Sequence, residues 1–258
     1  MNKRVGFIPV LLSLGVLVLG ELLYHLNFDP VIEFSYFVPI ANTVIMLPIA
    51  IYFAYVSSVV FERNRDMNIL LIGAGILSYG LTTFASGWFL ITPTIPVDAP
   101  VTIYGIGTLI SSVFLFLGAS LTINVEAITN RFKQLDAIVY GGLLVVLVIF
   151  SYAAFNGILP LFFVNGSGTT VVGTEVLIAS FTLFLASLFL FTLLYFRTRS
   201  EIIYWNVLAV LMLVLAILST QGTMALGDIL SWDARISQLI GMAYFLISVR
   251  VAFNGARG

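Results

Sequence analysis

Eight unbroken stretches of mostly apolar residues run through this chain, at residues 5–25, 36–61, 68–91, 101–123, 137–155, 174–196, 202–220 and 236–253. A helix that crosses a bilayer needs about 20 such residues, and each stretch supplies about that many. The run lengths exclude a membrane barrel, whose strands alternate polar and apolar positions over about 10 residues. In lipid a helix satisfies its own backbone hydrogen bonds, which no water is present to do. The expected fold is all-α: a polytopic membrane protein with eight transmembrane helices, N-terminus and C-terminus both inside, forming one helical domain over residues 1–258.

Composition agrees. Apolar residues make up 60% of the chain and charged residues 9%, against about 45–50% and about 25% in soluble domains. A water-soluble globule cannot cover that much apolar surface, so a soluble enzyme and a nucleic-acid binder are excluded. The net charge of -1 implies no polyanionic partner. Without cysteine there are no disulfides and no thiolate chemistry, and with His25 as the one histidine no multi-histidine metal or haem site is expected. No cofactor is expected.

The breaks between spans carry turn chemistry. Asn27-Phe28-Asp29-Pro30, the charged run Glu62 to Asp66, Thr92-Pro93 with Pro96 and Pro100, and Asn156-Gly157 all interrupt apolar sequence. Asn165-Gly166-Ser167 has the form of a glycosylation sequon. Pro39 and Pro48 predict a kink in the second span, whereas Pro9 lies in the first turns of its helix, where proline is tolerated. Lys3-Arg4 before an apolar run is how a signal peptide starts, but the run is too long and lacks a small-residue cleavage site, so a retained helix is expected.

Basic residues set the orientation. Lys3, Arg4, Arg63, Arg65, Arg131, Lys133, Arg197, Arg199, Arg250 and Arg257 all fall on one side of an eight-span arrangement, and Arg235 alone falls on the other. Lysine and arginine in short loops stay in the cytoplasm, which places both termini there. The outer loops then hold Asp29, Glu33, Asp98, Asp228 and Asp233, with an uncharged connection from Asn156 to Gly173.

Ionisable groups within a membrane mark functional sites, and here all gather near the outer ends of spans. Glu21 and His25 are four residues apart on one face of the first. Glu175 opens the sixth, and Gln221, Asp228, Asp233, Arg235 and Gln238 surround the last connection, with Trp88 and Trp232 at the same level. Charges at that depth also simply meet water and headgroups, and tryptophans there form the usual interfacial belt. The functional reading is that several of these groups converge on an outward-facing pocket. Arg235 needs an anion, with Asp228, Asp233 and Glu175 as candidates. Deeper polar residues, Asn42, Thr43, Ser111, Ser112 and Asn206, read as hydrogen bonds between helices, and Gly73, Gly75, Ser78, Gly107 and Ser111 read as close helix contacts.

Several functions fall away. No lysine lies within a span to hold retinal, no arginine ladder senses voltage, no midplane carboxylate relays ions and no phosphate loop binds ATP. No catalytic residues and no metal ligands are expected; an outer-leaflet enzyme built on Glu21 and His25 is a remote alternative.

Near the C-terminus, Trp232, Arg235, Gln238, Gly241 and Tyr244 form a W-x-x-R-x-x-Q-x-x-G-x-x-Y pattern. This resembles the close of the multi-spanning, MASE-like or seven-helix sensor region at the N-terminus of archaeal and bacterial PAS-containing sensor histidine kinases. Leu159 to Phe163, followed by Gly166, Gly168, Thr169, Thr170 and Glu175, is similar to that family's outer loop. The resemblance covers about the last 100 residues. It implies a membrane sensor whose last helix leads to a cytoplasmic kinase or other signalling domain, in a two-component system and in dimeric form. The chain has no kinase or PAS segment before Gly258, so the module is either cut from a longer chain or signals to a separate partner.

The expected function is therefore a receptor module in the cell membrane, with signal-sensing candidates Glu21, His25, Trp88, Glu175, Gln221, Asp228, Trp232, Asp233, Arg235, Gln238 and Tyr244. The alternative is a small-solute or lipid transporter, or its accessory subunit. Reporter tags fused separately to the two termini are expected on the same, cytoplasmic, side of the membrane; protease protection that separates them refutes an even number of crossings.

Overall fold

The computed structural model describes residues 8–26, 36–64, 67–92, 94–96, 98–123, 134–164, 167–223 and 227–255, with the side chains of 17, 21, 24, 64, 123, 254 and 255 left out. Lys3, Arg4, Asp29, Glu33, Arg65, Arg131, Lys133, Arg257 and the Asn165-Gly166 pair lie outside the described residues. In order, the elements are α1 (Ile8–His25), α2 (Phe37–Ala41), a π-helical segment (Asn42–Met46), α3 (Leu47–Asn64), α4 (Met67–Leu90), α5 (Asp98–Ile123) and α6 (Leu135–Phe155). There follow β1 (Phe163–Val164), β2 (Gly168–Thr169), α7 (Val171–Thr198), α8 (Glu201–Gly222) and α9 (Ile229–Gly255). Seven helices are long and apolar enough to cross a membrane, α2 to α3 counting as one. The eighth, α1, has 18 residues, and its apolar part, Ile8–Gly20, is shorter than the others.

Two elements depart from the expected boundaries. The connection between α6 and α7 is not a plain loop: β1 and β2 pair antiparallel, with Phe163 opposite Thr169. The last helix starts seven residues before the expected Ile236, at Ile229. Asp228 Oδ1 accepts the Ser231 backbone N–H at 2.7 Å, satisfying a donor that a helix start would otherwise leave orphaned. Trp232, Asp233 and Arg235 are consequently helical rather than part of a loop.

The spans hold together where small residues let backbones approach. A Cβ on Gly75 would lie 3.0 Å from the Ser111 carbonyl oxygen, and one on Gly241 would lie 3.2 Å from that of Ala209. Ser78 Oγ donates to the Gly107 carbonyl at 3.2 Å, binding α4 to α5. Without a hydrophobic driving force between helices in lipid, such close packing is the main source of association. Glycine-lined faces expected from the sequence thus serve as contacts. The deep hydroxyls do not all bridge helices: Ser112 donates within its own helix to the Leu109 carbonyl, and Ser111 Oγ and Asn206 Oδ1 find no partner among the described residues. A hydroxyl on a helix reaches the carbonyl of its own preceding turn more readily than a neighbouring helix.

α4 is the most enclosed of the spanning helices, buried without a break from Leu70 to Gly80, and α8 is almost continuously buried from Leu208 to Ala216. α6 is peripheral, burying only Leu143, Leu147 and Ala154. Ser58 Oγ donates to Asp136 and Tyr140 Oη donates to the Ala54 carbonyl at 3.1 Å, which tie α6 to α3. α1 lies antiparallel to α9: Gly20 faces Asp233, and Tyr244 Oη donates to the Pro9 carbonyl at 2.9 Å. The start of α1 and the finish of α9 therefore lie at the same end of the bundle. The other end carries the β hairpin and is termed the hairpin end.

Gly80 faces α3, where a Cβ would overlap that of Ala50 and sit 3.3 Å from the Met46 carbonyl oxygen. Neither neighbour can swing aside. Gly80→Leu is expected to destabilise the bundle by about 1–3 kcal/mol, the usual cost of overpacking, read as a lower Tm of the purified protein in detergent.

Candidate functional site

Pro48 shapes the first wall of the site. It has no N–H to give the Val44 carbonyl, and its ring crowds that group. The preceding turn widens into the π segment, where the Leu47 N–H reaches back to the Asn42 carbonyl. The expected kink is thus a π-helical turn, a feature that recurs at functional sites. At the head of this turn Asn42 is buried, and its Nδ2 donates to the Thr83 carbonyl on α4 at 2.8 Å. Gly87 makes room for that amide: a Cβ there would lie 2.8 Å from Nδ2. Thr43 receives a hydrogen bond from Trp88 Nε1 at 2.8 Å. The reading of Asn42 and Thr43 as bonds between helices holds.

Behind Asn42 lies a cavity of about 120 Å³ in the hairpin half of the bundle. Its lining residues come from α2 and the π segment, from the hairpin-end turns of α4, α5, α7, α8 and α9, from Thr223 just after α8, and from the hairpin. The hairpin forms one wall with Phe162 and Phe163, both almost fully buried. Gly105 admits the Phe162 ring, which a Cβ would meet at 2.8 Å. The hairpin is seated by the Thr170 N–H, which donates to the Phe162 carbonyl at 3.0 Å, and Thr170 Oγ1 then caps α7 by accepting from the Gly173 N–H at 3.1 Å.

The polar wall is built by α9 and α5. Gln238 Nε2 donates to Tyr104 Oη at 2.9 Å, and Tyr104 Oη lies 3.5 Å from that of Tyr79, deeper in the bundle. Arg235, one turn nearer the hairpin end, is half-buried and lines the same space. Among the described residues its one hydrogen bond is a long contact of 3.4 Å from Nε to Ser231 Oγ. It forms no salt bridge among them. Thr83, Thr220 and Thr223 complete the wall with hydroxyls that donate to carbonyls of their own helices.

Of the eleven signal-sensing candidates read from the sequence, Arg235 and Gln238 meet in the cavity. The others do not line it. Asp228 caps α9, and Asp233 accepts from Ser219 Oγ beside Gly20 of α1. The expected ion pair between Arg235 and an acid is absent among the described residues because the helix start draws Asp228 to the backbone, while Asp233 turns to α8 and α1. Trp232 stacks at 5.5 Å on Phe37, and Trp88 serves Thr43. Tyr244 lies further along α9, bonded to α1 and against Trp205 at 5.6 Å. His25 and Glu175 are exposed, and Gln221 is half-buried. Glu21 lies on α1 with its side chain outside the described residues. Along α9, Gln238, Gly241, Tyr244, Phe245 and Ser248 meet α5, α8, α1, α3 and α8 in turn. The described residues contain no cluster of metal-binding side chains. Tyr104 and Thr83 escaped the sequence reading, since a tyrosine or threonine within an apolar run gives no sign of which side it faces, and Phe162 stood only within the outer-loop resemblance.

The Gln238–Tyr104 bond has a measurable weight. Tyr104→Phe removes the acceptor and leaves a buried amide N–H unpaired, at an expected cost of about 0.5–2 kcal/mol. Adding Gln238→Leu should return part of that loss, and a double-mutant cycle on thermal stability checks the coupling.

Comparison of the chain with known protein families, with curated proteins and with solved structures returned no match.

Proposed function

We propose that the chain is a receptor module of the cell membrane that detects a small molecule at its outer face and passes the signal through α9 to a cytoplasmic kinase or related signalling partner. The observation that carries this reading is the path of α9. Near its start, Arg235 and Gln238 line the cavity. The same unbroken helix then bonds α1 through Tyr244 and α8 through Ser248, whose Oγ donates to the Ile202 carbonyl at 3.2 Å. It continues to Gly255 at the opposite end. A ligand that favours one position of Arg235 over another shifts the population of α9 positions, by no more than its difference in affinity for the two.

The charge pattern supports the orientation. Arg63, Arg197, Arg199 and Arg250 lie at the end away from the hairpin, where basic residues belong in the cytoplasm. The antiparallel contact of α1 with α9 supports eight crossings, with both termini inside. The W-x-x-R-x-x-Q-x-x-G-x-x-Y pattern adds the resemblance to kinase sensor regions, now with Arg235 and Gln238 facing the cavity.

Fusing the full chain at Gly258 to the catalytic core of a histidine kinase makes autophosphorylation a readout of α9. Arg235→Gln, a change confined to the hairpin end, is expected to alter phosphorylation about fivefold or more, the range of ordinary coupling between sites. The variant's unchanged elution and Tm serve as the control for folding. Unaltered phosphorylation, or solute counterflow in proteoliposomes carrying the unfused chain, overturns the receptor reading, the latter in favour of a transporter.

A further inference from the structure

We propose that the cavity beside Arg235 binds the head of an apolar monocarboxylic acid, its carboxylate held on the guanidinium fork. This deepens the receptor reading and rests on it for the cavity being the ligand site.

The sign of the ligand follows from the charges around the space. Arg235 is the one formally charged residue in the lining. Asp228 attracts the guanidinium through space, but its Oδ1 is bonded to the α9 backbone. A cation set in apolar surroundings gains most from an anion brought directly against it. One fixed positive charge also matches one negative charge: a phosphate dianion would carry an uncompensated charge into the same low-dielectric space.

The shape of the head follows from the donors that remain. The Thr83, Thr220 and Thr223 hydroxyls are spent on carbonyls of their own helices, the Thr169 hydroxyl is paired with that of Thr174, and the amides of Asn42 and Gln238 each use one N–H on a protein acceptor. Each amide keeps one N–H and its oxygen, so either can adapt to donor or acceptor. The guanidinium can only donate, and its single hydrogen bond among the described residues leaves both terminal amino groups for a partner. Two parallel N–H groups match the two oxygens of a carboxylate.

The size of the body follows from the volume. The cavity's 120 Å³ or so is close to the roughly 150 Å³ of an apolar protein cavity that holds benzene. Leu90, Val101, Phe162, Phe163 and Leu177 supply apolar walls for a ring or a chain of similar bulk. The carboxylate has two natural sources, a short acid from water or the head of a fatty acid from the leaflet, and both present the same group to Arg235.

The test uses the full chain in lipid nanodiscs and compares the dissociation constants of benzoate, benzamide, phenyl phosphate and dodecanoate. Benzoate or dodecanoate is expected to bind at least about tenfold more tightly than benzamide and phenyl phosphate, the difference one charge-assisted pair supplies. The tighter of the two acids identifies the source, water or leaflet. Arg235→Gln should abolish the preference over benzamide. Should that variant fail to fold, Arg235→Lys, which keeps the charge and loses the fork, should weaken the acid about tenfold. Equal affinity for benzamide, tighter binding of phenyl phosphate, or no binding of any probe overturns the carboxylate assignment. The kinase fusion reports on the receptor reading without any of these probes, so failure of the ligand class and failure of the function are told apart.

Discussion

The Asp228 carboxylate accepts a backbone N–H at the start of α9, and much of the hairpin end follows from that bond. It begins the helix before Trp232 and thereby fixes the angular positions of the next two turns. Trp232 goes to Phe37, Asp233 to α1 and α8, and Arg235 and Gln238 to the cavity. It also engages one of the acids that the guanidinium could otherwise pair with. A helix starting at Ile236 would have left Asp233 and Arg235 in a loop, free to pair with each other and with water. The cap instead separates them onto different faces and leaves the cation facing an interior space.

A second constraint is the absence of solvent around the spans. Where water cannot satisfy a polar group, a partner within the protein is favoured. Asn42 finds one in Thr83, and Gln238 in Tyr104. The glycines that bring helices together, Gly75, Gly107 and Gly241, serve the same economy, since close backbones replace the hydrophobic force that lipid does not supply. The cavity is the exception to that density. The hairpin sets Phe162 against Gly105 and so forms one wall of it.

The helices were legible in the sequence because each apolar run is long enough to admit no other structure in lipid, and seven of the eight reach spanning length in the described residues. The glycine and serine contacts of α4, α5 and α9 were legible because small residues at helical spacing have few other uses. The start of α9 was missed although its signal was present: Asp228 precedes Ser231 by three residues, the spacing of a cap. The density of charge in Ser231-Trp232-Asp233-Ala234-Arg235 pointed to a loop, and local capping outweighed it. Arg235 and Gln238 were found because they are polar near an apolar span. Tyr104 and Thr83 were not, because which face of a helix turns inward depends on neighbours distant in the chain. The expected gathering of acids failed for a similar reason, as backbone and hydroxyl donors near Asp228 and Asp233 compete with the guanidinium for them.

A guanidinium in a cavity wall constrains mechanism as well as ligand. A transporter must release what it binds to the other side, so a fixed cation on its path has to be neutralised or moved in each cycle, which pumps and carriers do with titrating carboxylates near the midplane. Here the lining offers no acid, and all of it belongs to one half of the bundle. A receptor has no such requirement. It needs a ligand to bias one helix and then leave by the way it came. By linkage the influence runs in both directions: whatever holds the far end of α9 in place must alter the affinity at Arg235 by the same factor that a ligand there alters the far end. On the proposed receptor reading, the bonds of Tyr244 to α1 and of Ser248 to α8 belong to the binding equilibrium, although neither touches the cavity, and the last helix is tuned along its whole length.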